Sequence, residues 1–114
     1  MNSSVSVRHT GDVAIIDVSG RISLSDGLGA MRSAIREAVN AGHKKILLNL
    51  AEVSYIDSAG LGEMASAYIT VTNMGGKMKL LHTHGRVNSM LHVTKLYTLL
   101  VTYTDESVAL ASFG

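Results

Sequence analysis

Short apolar runs of strand character alternate with longer stretches of helical apolar spacing along the whole chain, and glycine separates them because proline is absent. Two periodicities taking turns restrict the fold to an α/β domain, in which each helix carries the chain back to lay the next strand parallel to the last. Val5 and Val7 alternate with polar neighbours, and Gly11-Asp12 turns the chain into Val13-Ala14-Ile15-Ile16-Asp17-Val18. Two short strands joined this way read as a hairpin, with Gly20 ending the second. Ser25 or Asp26 is placed to cap a helix whose Leu28, Met31, Ile35 and Val39 share a face and which Gly42 closes. The nearly continuous run Ile46-Leu47-Leu48-Asn49-Leu50 predicts a strand buried on both faces. A second helix begins near Ser58, with Leu61, Met64, Ala65, Tyr68, Ile69 and Thr72 inward, and ends at Gly75-Gly76. Met78-Lys79-Leu80-Leu81-His82 is the next strand, followed by a short helix around Val87, Met90 and Leu91. Leu99-Leu100-Val101-Thr102-Tyr103 gives a fifth strand, and Thr104 caps a last helix through Val108 and Leu110. The order β-β-α-β-α-β-α-β-α describes one α/β domain over residues 1–114. Its sheet is mixed but mostly parallel, with an N-terminal antiparallel hairpin and about four helices.

Composition narrows the function classes. Ten Lys+Arg stand against nine Asp+Glu with no block of like charge, so nothing marks a nucleic-acid or anionic-membrane surface. Cysteine is absent, which excludes disulfides and thiolate metal sites. The first residues lack a basic stretch followed by an apolar one, and no apolar run approaches the ~18 residues that span a bilayer. The expectation is a cytoplasmic chain with no membrane or direct nucleic-acid partner.

The segment Tyr55-Ile56-Asp57-Ser58-Ala59-Gly60-Leu61-Gly62 lies just beyond the carboxyl end of a buried strand and opens a helix. In open α/β sheets that is where binding sites collect. Two glycines in a first helical turn sacrifice about 1 kcal/mol each relative to alanine. Packing on the sheet or close approach by a partner would compensate. A serine there has two physical uses. Its hydroxyl can cap the helix, or it can carry a phosphate whose dianion sits at the positive end of the helix dipole.

Asp57-Ser58-Ala59-Gly60-Leu61-Gly62 matches the D-S-[SA]-G-L-G signature of bacterial anti-sigma-factor antagonists, and the chain resembles their family, the STAS domains, over nearly its whole length. Gly20-Arg21-Ile22 resembles the family's G-[ER]-[IL] element, and Leu47-Leu48-Asn49-Leu50 its strand before the signature. Gly75-Gly76-Lys77-Met78-Lys79-Leu80 is similar to its G-G-x-[ML] turn and strand, and Val87, Met90-Leu91 and Lys95-Leu96 to its short helix and following loop. The resemblance implies a binding switch, not an enzyme. In the family, the unphosphorylated antagonist binds an anti-sigma factor that is also an ATP-dependent serine kinase, which frees the sigma factor and regulates transcription. The kinase then phosphorylates the signature serine, and a metal-dependent serine phosphatase restores the active form. Carried onto this chain, the resemblance makes Ser58 the phosphoacceptor. It places the partner-binding surface at Ser23, Asp57, Ser58, Ala59, Gly60, Leu61 and Gly62, with no catalytic residue, metal or cofactor of the chain's own. One departure stands out: an acidic residue usually follows G-[ER]-[IL], near the serine, and Ser23 occupies that place. Asp26, three residues on, substitutes only if the loop bends. A phosphate adds about −1.5 to −2 charges. Burying it unpaired in an interface costs roughly 2–5 kcal/mol, or about 30- to 4,000-fold in affinity.

Rival chemistries fit less well. A hydrolase elbow G-x-S-x-G would need glycine where Ile56 stands. His82 and His84 share a strand face and His92 lies beyond, but two imidazoles without an obvious third ligand are ordinary surface residues more often than a metal site. Gly27-Leu28-Gly29 is too short for a dinucleotide loop, and the six methionines fall mostly at core spacings. The alternative that stays open is a STAS module that does not switch: a scaffold or ligand-sensing subunit of a larger signalling assembly, with Ser58 only a cap. Ser54 and Ser66 stay open as competing phosphoacceptors.

Overall fold

The computed structural model describes residues 3–114. The chain runs β1 (Ser4–Thr10), β2 (Val13–Ile22), α1 (Leu28–Asn40), β3 (Lys45–Ile56), α2 (Ser58–Asn73), β4 (Lys77–Leu81), α3 (Gly85–Thr94), a 3₁₀ turn (Leu96–Thr98), β5 (Thr102–Tyr103) and α4 (Glu106–Ala111). The strands form one sheet in the spatial order β1-β2-β3-β4-β5. β1 pairs antiparallel with β2 across the turn at Gly11, and β2 to β5 are parallel neighbours. The α/β reading of the sequence, with its hairpin and parallel remainder, is the fold observed.

Strand alternation sorts the apolar side chains into two layers. Ala14, Ile16 and Val18 of β2, Ile46, Leu48 and Leu50 of β3, and Met78 and Leu80 of β4 face Met31 and Ile35 of α1, Leu61, Met64 and Val71 of α2, and Val87 and Leu91 of α3. Val13, Ile15, Leu47 and Leu81 face the other way and pack against Ala109 of α4 and Phe113. The first halves of β2 and β3 are therefore covered on both sides, which explains their continuous apolar runs.

Several local expectations change in the folded chain. β2 does not stop at Gly20 but continues to Ile22. Gly20 pairs with Val53 at φ 86°, beside a register shift that lets the strand run on. The N-cap of α1 is Gly27, not Ser25 or Asp26, because those residues form a separate turn before the helix. Gly42 does close α1, donating its N–H to the Val39 carbonyl. The inner face of α2 is Gly60, Leu61, Met64, Ala67 and Val71. Ile69 and Thr72, expected inside, are exposed. Apolar residues occur on every side of this helix, so the pattern alone leaves its rotation open. β5 is confined to Thr102 and Tyr103, because Leu99 is used in leaving the 3₁₀ turn. The cap of α4 is Asp105 in place of Thr104, its carboxylate accepting the Val108 N–H at 3.0 Å.

Candidate functional site

β3 ends at Ile56 and α2 begins at Ser58, so the single residue Asp57 makes the connection. Asp57 has extended backbone angles (φ −107°, ψ −178°), which aim its side chain back over the free N–H groups of the first helical turn. Its Oδ1 accepts the Gly60 N–H at 2.8 Å. Its Oδ2 accepts the Leu24 N–H, from the loop between β2 and α1, at 3.1 Å. The Asp57 N–H in turn donates to the Ile22 carbonyl at 3.3 Å. These donors, Gly60 first and Leu24 next, hold the Asp57 carboxyl below the ordinary aspartate range.

With Asp57 as the cap, Ser58 becomes the first helical residue, exposed. Among the described residues its hydroxyl has no hydrogen-bond partner. The capping use of Ser58 is therefore not the one the fold makes of it. The hydroxyl stands in solvent at the positive end of a 16-residue helix.

The signature glycines separate by cause. A β-carbon on Gly60 would collide with the Ile22 carbonyl oxygen, so the first turn of α2 can lie against the end of β2 only with glycine there. A β-carbon on Gly62 would meet nothing within 4 Å, and the residue is exposed. Leu61 is buried in the core, while Ala59 is half-buried. Ser23 is 3% exposed and lies inside its loop. Its N–H reaches the Asp26 carbonyl at 2.7 Å, the Asp26 N–H returns to its carbonyl at 3.1 Å, and its Oγ donates to the Asp26 carbonyl at 3.2 Å. The loop does bend, and it presents the Asp26 main chain to Ser23. Of the seven residues assigned to partner contact, Ser58 and Gly62 are exposed, Asp57 and Ala59 partly so, and Ser23, Gly60 and Leu61 lie beneath.

At this end of the sheet Arg86 and the exposure of Leu24 escaped the sequence reading, as did the contact of Arg21 with Tyr55. Tyr55 lies between two guanidinium groups, with Arg21 at 4.2 Å and Arg86 at 4.7 Å from its ring centre. Arg86 also donates from Nε to the Ile56 carbonyl at 2.6 Å, which fixes α3 beside the last residue of β3. Leu24 is 79% exposed at the tip of the loop that Asp57 holds. An isolated leucine among Ser23, Ser25, Asp26 and Gly27 was a usable signal; nothing in the sequence marked Arg86. The histidines do not converge. His84 is bonded through Nε2 to the Ala51 carbonyl at 2.9 Å, and His92 stacks on Tyr97 at 4.9 Å. Among the described residues no three His, Asp or Glu side chains are grouped to hold a metal ion. Nor, among them, is any helix long and apolar enough to cross a membrane.

The sheet is mixed and mostly parallel, and Ser58 stands exposed at the helix start beyond its central strand. The chain belongs to the STAS domain family, whose model matches residues 4–109. It is 27% identical to the anti-sigma F factor antagonist of Paenibacillus polymyxa over 113 residues, 96% of this chain and 94% of that protein. Its fold is similar to the crystal structure of an anti-sigma factor antagonist from Mycobacterium paratuberculosis, with a TM-score of 0.88 at 20% identity over 98% of this chain and 94% of the other. It is also similar to the Bacillus cell fate determinant SpoIIAA in its phosphorylated form, with a TM-score of 0.74 at 18% identity over 96% of this chain and 99% of that one.

Proposed function

We propose that this chain is an anti-sigma-factor antagonist that acts by binding, and that phosphorylation of Ser58 switches the binding off. The observation that carries the reading is the hydroxyl of Ser58, exposed and unbonded among the described residues at the first position of α2, with capping assigned to Asp57. A phosphate on Ser58 would sit at the positive end of the helix dipole, and no hydrogen bond of the hydroxyl has to be broken to place it there. The unphosphorylated surface around Asp57, Ser58, Ala59 and Gly62 docks an anti-sigma factor that is also a serine kinase, and so frees a sigma factor in the cytoplasm. The kinase supplies the ATP, and a metal-dependent serine phosphatase reverses the modification. A dianion at the centre of that surface disfavours docking by charge and desolvation.

Incubation with the kinase and ATP, followed by intact-mass measurement and peptide mapping, tests the reading. A gain of one phosphate on Ser58 and loss of the complex is the expected result. Phosphate on Ser54 or Ser66 with Ser58 unmodified would overturn the assignment. One observation favours a second reading, the scaffold that does not switch. Where the family pattern has an acidic residue, this chain has Ser23, buried in its own loop. No labelling by any kinase, with binding intact, would support that reading.

A further inference from the structure

Leu24 is the only large apolar residue between Ile22 and Leu28, and it is 79% exposed. Its loop is nevertheless held firmly. The reciprocal Ser23–Asp26 backbone bonds of 2.7 and 3.1 Å close it into a turn. Gly27, at φ 86°, sits where a β-carbon would strike the Arg21 carbonyl oxygen, so the loop packs back on the end of β2. The Leu24 N–H is fixed by Asp57 Oδ2 at 3.1 Å, while Oδ1 of the same carboxylate holds the Gly60 N–H at 2.8 Å. One carboxylate thus joins the loop tip to the helix that carries Ser58.

An aliphatic side chain kept in water on a restrained backbone, one hydrogen bond from the neighbour of the modifiable serine, is arranged for docking. The ordering cost of its main chain is already met in the free protein. We infer that Leu24 is an apolar anchor of the partner-binding surface, received by an apolar pocket on the protein partner, and that Asp57 positions it. The pocket has a polar rim, because Ser25 follows the anchor in the loop and the Asp57 carboxylate is bonded to its N–H. The inference rests on the proposed binding of an anti-sigma factor and adds the residue that gives that binding its apolar component. Here the part of Asp57 is to position Leu24, in addition to its own place on the docking surface.

The chemistry of asparagine separates the two duties of Asp57. In Asp57→Asn one oxygen still accepts the Gly60 N–H, and asparagine caps helices as well as aspartate does. The other position becomes an amide that donates, and it faces the Leu24 N–H, also a donor. The variant keeps its helix and loses the tether. Binding is measured by calorimetry against the anti-sigma factor kinase of the same organism, with wild type, Leu24→Ala, Asp57→Asn and the double variant. Leu24→Ala should weaken binding at least about tenfold, the effect of losing most of a buried aliphatic side chain. Its melting temperature should not change, because the side chain is exposed. Asp57→Asn should also weaken binding, and the double variant should bind no worse than Leu24→Ala alone. Val93→Ala, at an equally exposed site elsewhere (84%), should bind as wild type. Without any partner, the Leu24 and Gly60 amide proton resonances of wild type should follow one common carboxyl titration, and Leu24 should cease to do so in Asp57→Asn. Wild-type affinity in Leu24→Ala, or full additivity in the double variant, overturns the inference while the proposed function stands. Failure of the wild-type chain to bind any anti-sigma factor overturns both.

Discussion

Gly60 and Gly62 stand two residues apart in the first turns of α2, and the sequence treats them alike. Their surroundings do not. A side chain at Gly60 must displace the Ile22 carbonyl, which is backbone and cannot rotate away. Gly60→Val should therefore destabilise the domain by about 1–3 kcal/mol, or more if α2 is lifted from the sheet. Gly62 faces open space with a helical backbone, so Gly62→Ala should stabilise by up to about 1 kcal/mol through helix propensity. Urea denaturation of the two variants checks both signs at once; equal effects would contradict the geometry. Ser58 yields a similar contrast. Because Asp57 is the cap, Ser58→Ala should shift stability by no more than about 0.5 kcal/mol. Ser58→Asp should fold normally, favoured by the helix dipole, while binding its partner less well. Melting by circular dichroism and calorimetric titration separate the two effects. The sequence reading offers Ser58 as the cap, and the structure gives that role to Asp57. The choice depends on which of them has the extended backbone.

At the scale of elements, two helices begin with an aspartate whose carboxylate accepts main-chain N–H groups: Asp57 for α2 and Asp105 for α4. Both are held below the ordinary aspartate pKa, Asp57 by Gly60 and then Leu24, Asp105 by Ser107 and then Val108. A carboxyl with a depressed folded pKa contributes its full stability above the unfolded value of about 3.9, and loses it as pH falls through the folded value. The urea midpoint of wild type should therefore drop on acidification below about pH 4, more steeply than that of Asp57→Asn. Identical pH profiles would mean that the Asp57 bonds add nothing in solution. The existence of α2 was legible from Ser58 to the Gly75-Gly76 stop. Its rotation was not, because Tyr68, Ile69 and Val71 offer several apolar faces and packing against α1 and the sheet selected the one through Ala67 and Val71.

Across the whole molecule, burial and surface charge contribute on different scales. Leu48 of β3 is fully buried between β2 and β4. Leu48→Ala should cost about 2–5 kcal/mol, from lost transfer energy and the cavity left behind. Arg8 of β1 bridges Asp17 of β2 at 2.6 Å and Glu106 of α4 at 2.7 Å, tying the two ends of the chain. Its side chain is 44% exposed, so Arg8→Met should cost no more than about 1 kcal/mol, and the difference should shrink in high salt. Thermal melts at low and high ionic strength distinguish the two.

The sequence by itself determined the alternation of strand and helix, the strands buried on both faces and the place of Ser58 at a helix start. Each of these rests on spacing within a single run of residues. Tertiary structure decided which carboxylate caps α2, which face of that helix is inside, that Ser23 is buried and that Leu24 is presented. Those features depend on atoms far apart in the chain: Asp57 meets the Leu24 N–H across 33 positions, and Gly60 must be glycine because Ile22 lies against it. A local pattern specifies what a segment can become, but only the packed neighbour specifies which of its polar groups is satisfied and which is left facing water.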